Sequence, residues 1–93
     1  MHADQEPYCD FRMTVRVEIA NTPGQFAQLA AVFAAEGANL GAIDIVDVKR
    51  NKMTRDITFD AQSEAHAKQV VEKLEAMPGV RVRSASDRVF LAH

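Results

Sequence analysis

Between Met13 and Ile19 the chain alternates without a break: Met13, Val15, Val17 and Ile19 on one parity, Thr14, Arg16 and Glu18 on the other. A period of two over this length is a strand with one buried and one wet face. The segment Asn21-Thr22-Pro23-Gly24 stops it, and the apolar spacing changes at once. Phe26, Leu29, Ala30, Phe33 and Gly37 recur as one side of a helix from about Gly24 to Glu36. Asn21 or Thr22 is placed to cap this helix, and Pro23 suits its first turn, where a missing N–H costs nothing. Gly37 suits a left-handed helix end.

The same alternation of periods returns in the second half. A strand from about Leu40 to Lys49 is rich in Ile and Val, but Ile43 and Ile45 share one parity while Val46 and Val48 share the other. A bulge near Ile45-Val46 reconciles them, as does a strand buried differently at its two ends. Lys49-Arg50-Asn51-Lys52 reads as a hairpin turn into a third strand, about Thr54 to Asp60, with Ile57 and Phe59 inward. Ser63 then caps a second helix whose Ala67, Val70, Val71, Leu74 and Met77 share one face. Pro78-Gly79 ends it, and Val80 begins a fourth strand reaching about Ala85 or Asp87.

The element order is therefore βαββαβ. Each helix has a single apolar face, so both must cover the same side of the sheet. The predicted fold is an α+β, ferredoxin-like sandwich: a four-stranded antiparallel sheet, order 4-1-3-2, with two helices on one face. Thr14, Arg16, Glu18, Thr58, Asp60, Arg81 and Arg83 are expected on the open face. Residues 1–12 read as a polar lead-in and residues 13–87 as the folded domain. Residues 88–93, with the apolar run Val89-Phe90-Leu91, read as the start of a linker to a catalytic region that is missing here.

Ninety-three residues allow one modest core. A net charge of −2 without a long run of like charge gives no electrostatic reason to expect nucleic acid or an anionic membrane as partner. The longest apolar window, Phe26 to Ala35, is too short to span a bilayer. A single cysteine, Cys9, precludes an internal disulfide and fits a reducing, cytoplasmic setting.

The residues placed for ligand contact are Asn21, Thr22, Pro23, Gly24, Gln25, Phe26, Asn39 and Leu40. Gly24 allows close approach to the backbone, and the N–H groups of Gln25 and Phe26 at a helix start suit a carboxylate. Asn39 offers a donor and an acceptor to an amino or hydroxyl group. Each also has a purely structural reading: Asn21 as a cap, Gly24 as a turn residue, Asn39 as a left-handed turn position. No nucleophile or metal ligand stands among them, so no catalytic residue and no metal ligand is assigned. His66 reads as a solvated residue near the second helix start, and Arg55 and Asp56, adjacent on a strand, point to opposite faces. Other users of this fold plan lack their residues here. Metal delivery wants paired cysteines, RNA recognition wants exposed aromatics on the central strands, and acyl-phosphate hydrolysis wants an arginine in the first strand–helix loop.

The order strand, Asn21-Thr22-Pro23-Gly24, helix, Gly37-Ala38-Asn39-Leu40, strand resembles the ACT domain, the regulatory module of many enzymes of amino-acid and carbon metabolism. The usual loop of that family is Asp-Arg-Pro-Gly or a near variant, and its second strand commonly opens with Asn-Ile; here the loop carries neither charge. Gly41-Ala42-Ile43-Asp44-Ile45-Val46, Arg55-Asp56-Ile57-Thr58 and the tail from Ser86 to His93 are similar to the N-terminal ACT extension of bacterial NAD-dependent malic enzymes. The resemblance implies a non-catalytic regulatory domain that forms a homodimer through its sheet edge or helices and binds an amino acid or related small effector at the interface. It also implies an alternative, a module that only dimerises or assembles. A catalytic domain of the same chain is the implied reader of the effector. NAD and a divalent metal belong to that missing region, with no cofactor in this domain.

Overall fold

The computed structural model describes residues 11–86 as β1 (Phe11–Ala20), α1 (Gln25–Ala35), β2 (Asn39–Val48), β3 (Lys52–Ala61), α2 (Glu64–Glu75) and β4 (Val80–Ser86). Cys9 and the Val89-Phe90-Leu91 tail lie outside the described residues. Phe11 and Arg12, read from sequence as lead-in, are the first two residues of β1. Strand order is β2-β3-β1-β4, which is the expected 4-1-3-2 taken from the opposite edge. Every pairing is antiparallel.

β1 and β3 pair over their full length, from Phe11 opposite Ala61 to Ala20 opposite Lys52. That register puts the odd-numbered residues of both strands on one side. Val15, Val17, Ile57 and Phe59 are there fully buried beneath Leu29 and Phe33 of α1 and Ala67, Val70 and Leu74 of α2. Phe33 meets Phe59 edge to face with ring centroids 5.0 Å apart, a preferred aromatic geometry. The anticipated helix faces are those that pack. Gly37 closes α1 with φ +76°, and its N–H and that of Ala38 return to the carbonyls of Ala34 and Phe33.

β2 resolves its parity conflict with a bulge. Ile45 lies opposite Arg55 and Asp47 opposite Thr54, so Val46 is the extra residue; a second irregularity lies between Leu40 and Ile43. Gly41 allows that second one, since a Cβ there would lie 3.2 Å from the Thr58 carbonyl oxygen.

His66 corrects the sequence reading. It is half-buried and ties the two helices together rather than pointing into solvent. Its Nδ1 accepts the Gln62 N–H at 3.0 Å, and its Nε2 lies 2.5 Å from the Glu36 carbonyl oxygen. With Nδ1 accepting, the ring proton belongs on Nε2, which donates to Glu36. Ser63 caps α2 as expected, its Oγ accepting the His66 N–H at 3.0 Å.

The open face is a ladder of polar cross-strand pairs. Arg12 meets Asp60 at 2.8 Å, the Thr14 and Thr58 hydroxyls lie 2.7 Å apart, and Arg16 grips Asp56 through two bonds of 2.8 and 2.9 Å. Glu18 bonds Arg83 and has Lys52 at 3.9 Å. The hydrogen bond from Arg16 holds the Asp56 carboxyl below its ordinary range, and that from Arg83 does the same for Glu18. A lowered folded-state value means stability that is present above the unfolded pKa, roughly 4, and lost as pH falls through the folded one. Urea unfolding between neutral and strongly acid pH is therefore expected to show stability declining below about pH 4. Asp56→Asn and Glu18→Gln together should flatten that decline.

Candidate functional site

The first cluster of candidate residues is built by a turn. Thr22 accepts the Gln25 N–H at 3.3 Å, and Gly24 adopts φ 85°, ψ −15°. With Pro23 at the second position and a left-handed glycine at the third, this is a type II turn. Helix α1 starts directly from it, the Gln28 N–H bonding the Gly24 carbonyl at 3.1 Å. The expected cap is absent: Gly24 occupies the N-cap position and no side chain caps α1. Pro23 accordingly sits in the turn before the helix, not in its first turn. The Pro-Gly geometry directs Asn21 elsewhere. Its N–H bonds the Asn51 carbonyl at 3.3 Å and its side-chain amide the Lys49 carbonyl at 3.4 Å, so Asn21 ties the turn to the β2–β3 hairpin.

These bonds change what the site can offer. The Gln25 N–H, a candidate carboxylate donor, is already engaged by Thr22. The Gln25 side chain donates to the Pro78 carbonyl at 3.4 Å. Phe26, in the first turn of α1, is half-buried against the core. A cleft of about 190 Å³ is lined by Glu18, Ile19, Ala20, Lys52, Gly79 and Arg81, and none of the turn residues contributes to it.

Asn39 and Leu40 form a second, separate cluster. Asn39 opens β2 opposite Asp60, whereas Val48 at the other end lies opposite Met53. Ten strand residues span about 30 Å. Asn21 is bonded at the hairpin end, so within one chain the two Asn amides stand at opposite ends of the sheet. Asn39 is not left-handed either, since no described residue other than glycine has a positive φ.

Sequence reading missed Arg55. Its register, opposite Val17 and Ile45, puts it on the helix side of the sheet. Its guanidinium carbon lies 4.5 Å from the centre of the Phe26 ring. Nε is buried without a hydrogen-bond partner. The signal was present in the sequence: Arg55 has the parity of Ile57 and Phe59. Among the described residues no three His, Cys, Asp or Glu gather as metal ligands, and no helix is long and apolar enough to cross a membrane.

The sheet order, the helix pair on one side and the Pro-Gly turn leading into α1 define a small α+β module of the ferredoxin-like plan. The sequence profile of the ACT domain matches residues 9–82, and the chain belongs to that family. It is 28% identical over 81 residues to the NAD-dependent malic enzyme of Geobacillus stearothermophilus; the match takes in 87% of this chain but 17% of that relative's length. Among solved structures, the ACT domain from GTP pyrophosphokinase of Chlorobium tepidum superposes with a TM-score of 0.65 at 17% identity, covering 82% of this chain and 95% of that one. The ligand-free regulatory subunit of aspartate kinase from Thermus thermophilus gives a TM-score of 0.65 at 15% identity, covering 83% of this chain and 51% of that one. ACT domains are regulatory rather than catalytic modules.

The two helix starts differ in kind, and a pair of substitutions exposes the difference. Ser63→Ala removes a true cap and should cost about 1 kcal/mol in urea unfolding. Asn21→Ala removes a long bond and no cap, and should cost less than about half of that.

Proposed function

We propose that this chain is the effector-binding and dimerisation module of a cytoplasmic metabolic enzyme that oxidatively decarboxylates malate. The observation that carries the reading is the uncovered flank formed by β2 and α1. On β2, Ile45 is 58% and Val48 55% exposed, and Ile43 and Val46 are exposed beside them. The strand is an edge, so one row of its backbone N–H and C=O groups is unpaired within the sheet. A long apolar edge strand invites another strand. Helix α1, Gln25–Ala35, contains no charged residue, whereas α2 contains Glu64, Lys68, Glu72, Lys73 and Glu75. The charged helix faces water and the uncharged one stands beside the apolar edge.

A second copy is the occupant that fits. Two β2 strands paired antiparallel about a two-fold axis would bury both apolar rows and extend the sheet. That arrangement also gives the split candidate site a use. In full register, the partner's Asn39 and Leu40 would arrive at the end of β2 where Asn21, Thr22, Pro23, Gly24 and Phe26 stand. An effector held between the two would bias their geometry, and the catalytic region of the same chain, with its NAD and divalent metal, would respond. The malic-enzyme likeness of the Geobacillus relative supports that choice of parent.

One observation favours a second reading, in which the module dimerises without a ligand. The backbone N–H and side-chain amide of Asn21 and the N–H of Gln25 are already satisfied inside the chain. Calorimetry with amino and dicarboxylic acids separates the two: binding heat supports effector recognition, and its absence in both the domain and the full enzyme leaves dimerisation alone. Light scattering tests the dimer. The 93-residue chain should be dimeric, and Ile45→Lys with Val48→Lys should raise the dimer dissociation constant at least about tenfold. A monomeric parent chain at high protein concentration would overturn the dimer.

A further inference from the structure

We propose that Arg55 is a charge-selecting residue, giving the effector surface at the start of α1 a preference for small ligands of net negative charge over zwitterions. The proposal rests on the effector-binding reading above and names the ligand class.

Among the described residues, Arg55 is the one charged strand residue whose register puts it on the helix-covered side of the sheet. Every other strand charge falls on the open face, and most find an opposite charge there. Arg55 has no carboxylate partner among the described residues, and its Nε is shut away from solvent with no acceptor. A buried donor left unmade is costly, more so on a charged group. An apolar residue of similar length would fill the same space without that cost, as its strand neighbours Ile57 and Phe59 do.

The position of the charge gives the cost a use. Phe26 holds the guanidinium by its face at 4.5 Å, which fixes the cation at the first turn of α1. Across the ladder stands Ile45, on the uncovered edge. Arg55 therefore stands on β3, one strand in from the flank that a second copy would cover, with its guanidinium held at the start of α1. The β2 carboxylates do not compensate it, because Asp44 and Asp47 lie opposite Asp56 and Thr54, on the open face. A permanent cation with no acid beside it attracts a carboxylate and offers nothing to an ammonium group. An amino acid would bring its own positive charge into this field; a mono- or dicarboxylate without an amine would not.

The test uses the 93-residue chain and its Arg55→Met and Arg55→Lys variants, titrated with succinate, succinamide and glycine. Binding is followed by NMR at the Phe26 amide and the Arg55 Nε–H. Succinate is expected to give saturable shifts, with succinamide and glycine at least about tenfold weaker. Arg55→Met should lose that preference, and Arg55→Lys should keep the charge but bind several-fold less tightly. Without ligand, Arg55→Met should melt about 4 °C higher, since its side chain needs no partner. Equal binding of succinate and glycine, or unchanged succinate binding by Arg55→Met, would overturn the charge role while leaving effector binding intact. A lower melting temperature or a lost dimer in Arg55→Met would make the residue structural and would also overturn it. No response at Phe26 to any of the three probes overturns this proposal, while the calorimetry with amino and dicarboxylic acids on the domain and the full enzyme decides the effector reading.

Discussion

The ten-residue antiparallel ladder between β1 and β3 is the constraint from which the rest of the molecule follows. It fixes which residues of both central strands face the helices. Val15, Val17, Ile57 and Phe59, all fully buried, are the floor on which α1 and α2 rest. A slip by one residue would exchange that floor for Arg16, Glu18, Asp56 and Thr58. The polar pairs on the other side reinforce the same choice: Arg12 with Asp60, Thr14 with Thr58 and Arg16 with Asp56 are matched only in this register. Individually such surface pairs contribute little. Their value lies in agreeing with the hydrophobic pattern on the opposite face.

From this ladder comes an asymmetry between the two flanks. β4 joins β1 over a short stretch with a bulge near Arg16 and Val17, and α2 covers it with a charged outer surface. β2 joins β3 with two irregularities and is left with its apolar residues exposed. Helix α1 packs beside β2 but leaves Ile43, Ile45, Val46 and Val48 exposed. A lone polypeptide gains nothing from a dry edge in water.

Much of this was legible in the chain itself. The strict alternation of Met13 to Ile19, the helical spacing from Ala67 to Met77 and the turn residues between them give element order, sheet order and the buried helix faces. The parity conflict at Ile45-Val46 located a real bulge. The local details that were not legible share one cause: they depend on where backbone bonds go. Asn21 and Thr22 have the composition of helix caps, but a Pro-Gly pair beside them selects a type II turn that uses the Thr22 carbonyl and frees Asn21 for the hairpin. His66 lies on a polar stretch of sequence, yet the helix pair brings the Glu36 carbonyl to it. Asn21 and Asn39 bracket one helix and look like neighbours, whereas a full strand length separates them. Arg55 is different in kind. Its parity, shared with Ile57 and Phe59, announced an arginine under the helices, and its contact with Phe26 became visible only with the packing of α1.

One contact links the halves of the molecule in a way that their separate helices do not. The Gln25 side chain reaches the Pro78 carbonyl, and Gly79 leaves room for it, with a Cβ there falling 3.3 Å from Gln25 Nε2. Gln25 follows the turn into α1; Pro78 and Gly79 precede β4. The amide works as a strut between the first loop and the last strand. A side chain at position 79 would press on that amide and would also have to take up the left-handed backbone that Gly79 adopts at φ +82°, so the contact between the first loop and the last strand depends on a glycine following Pro78.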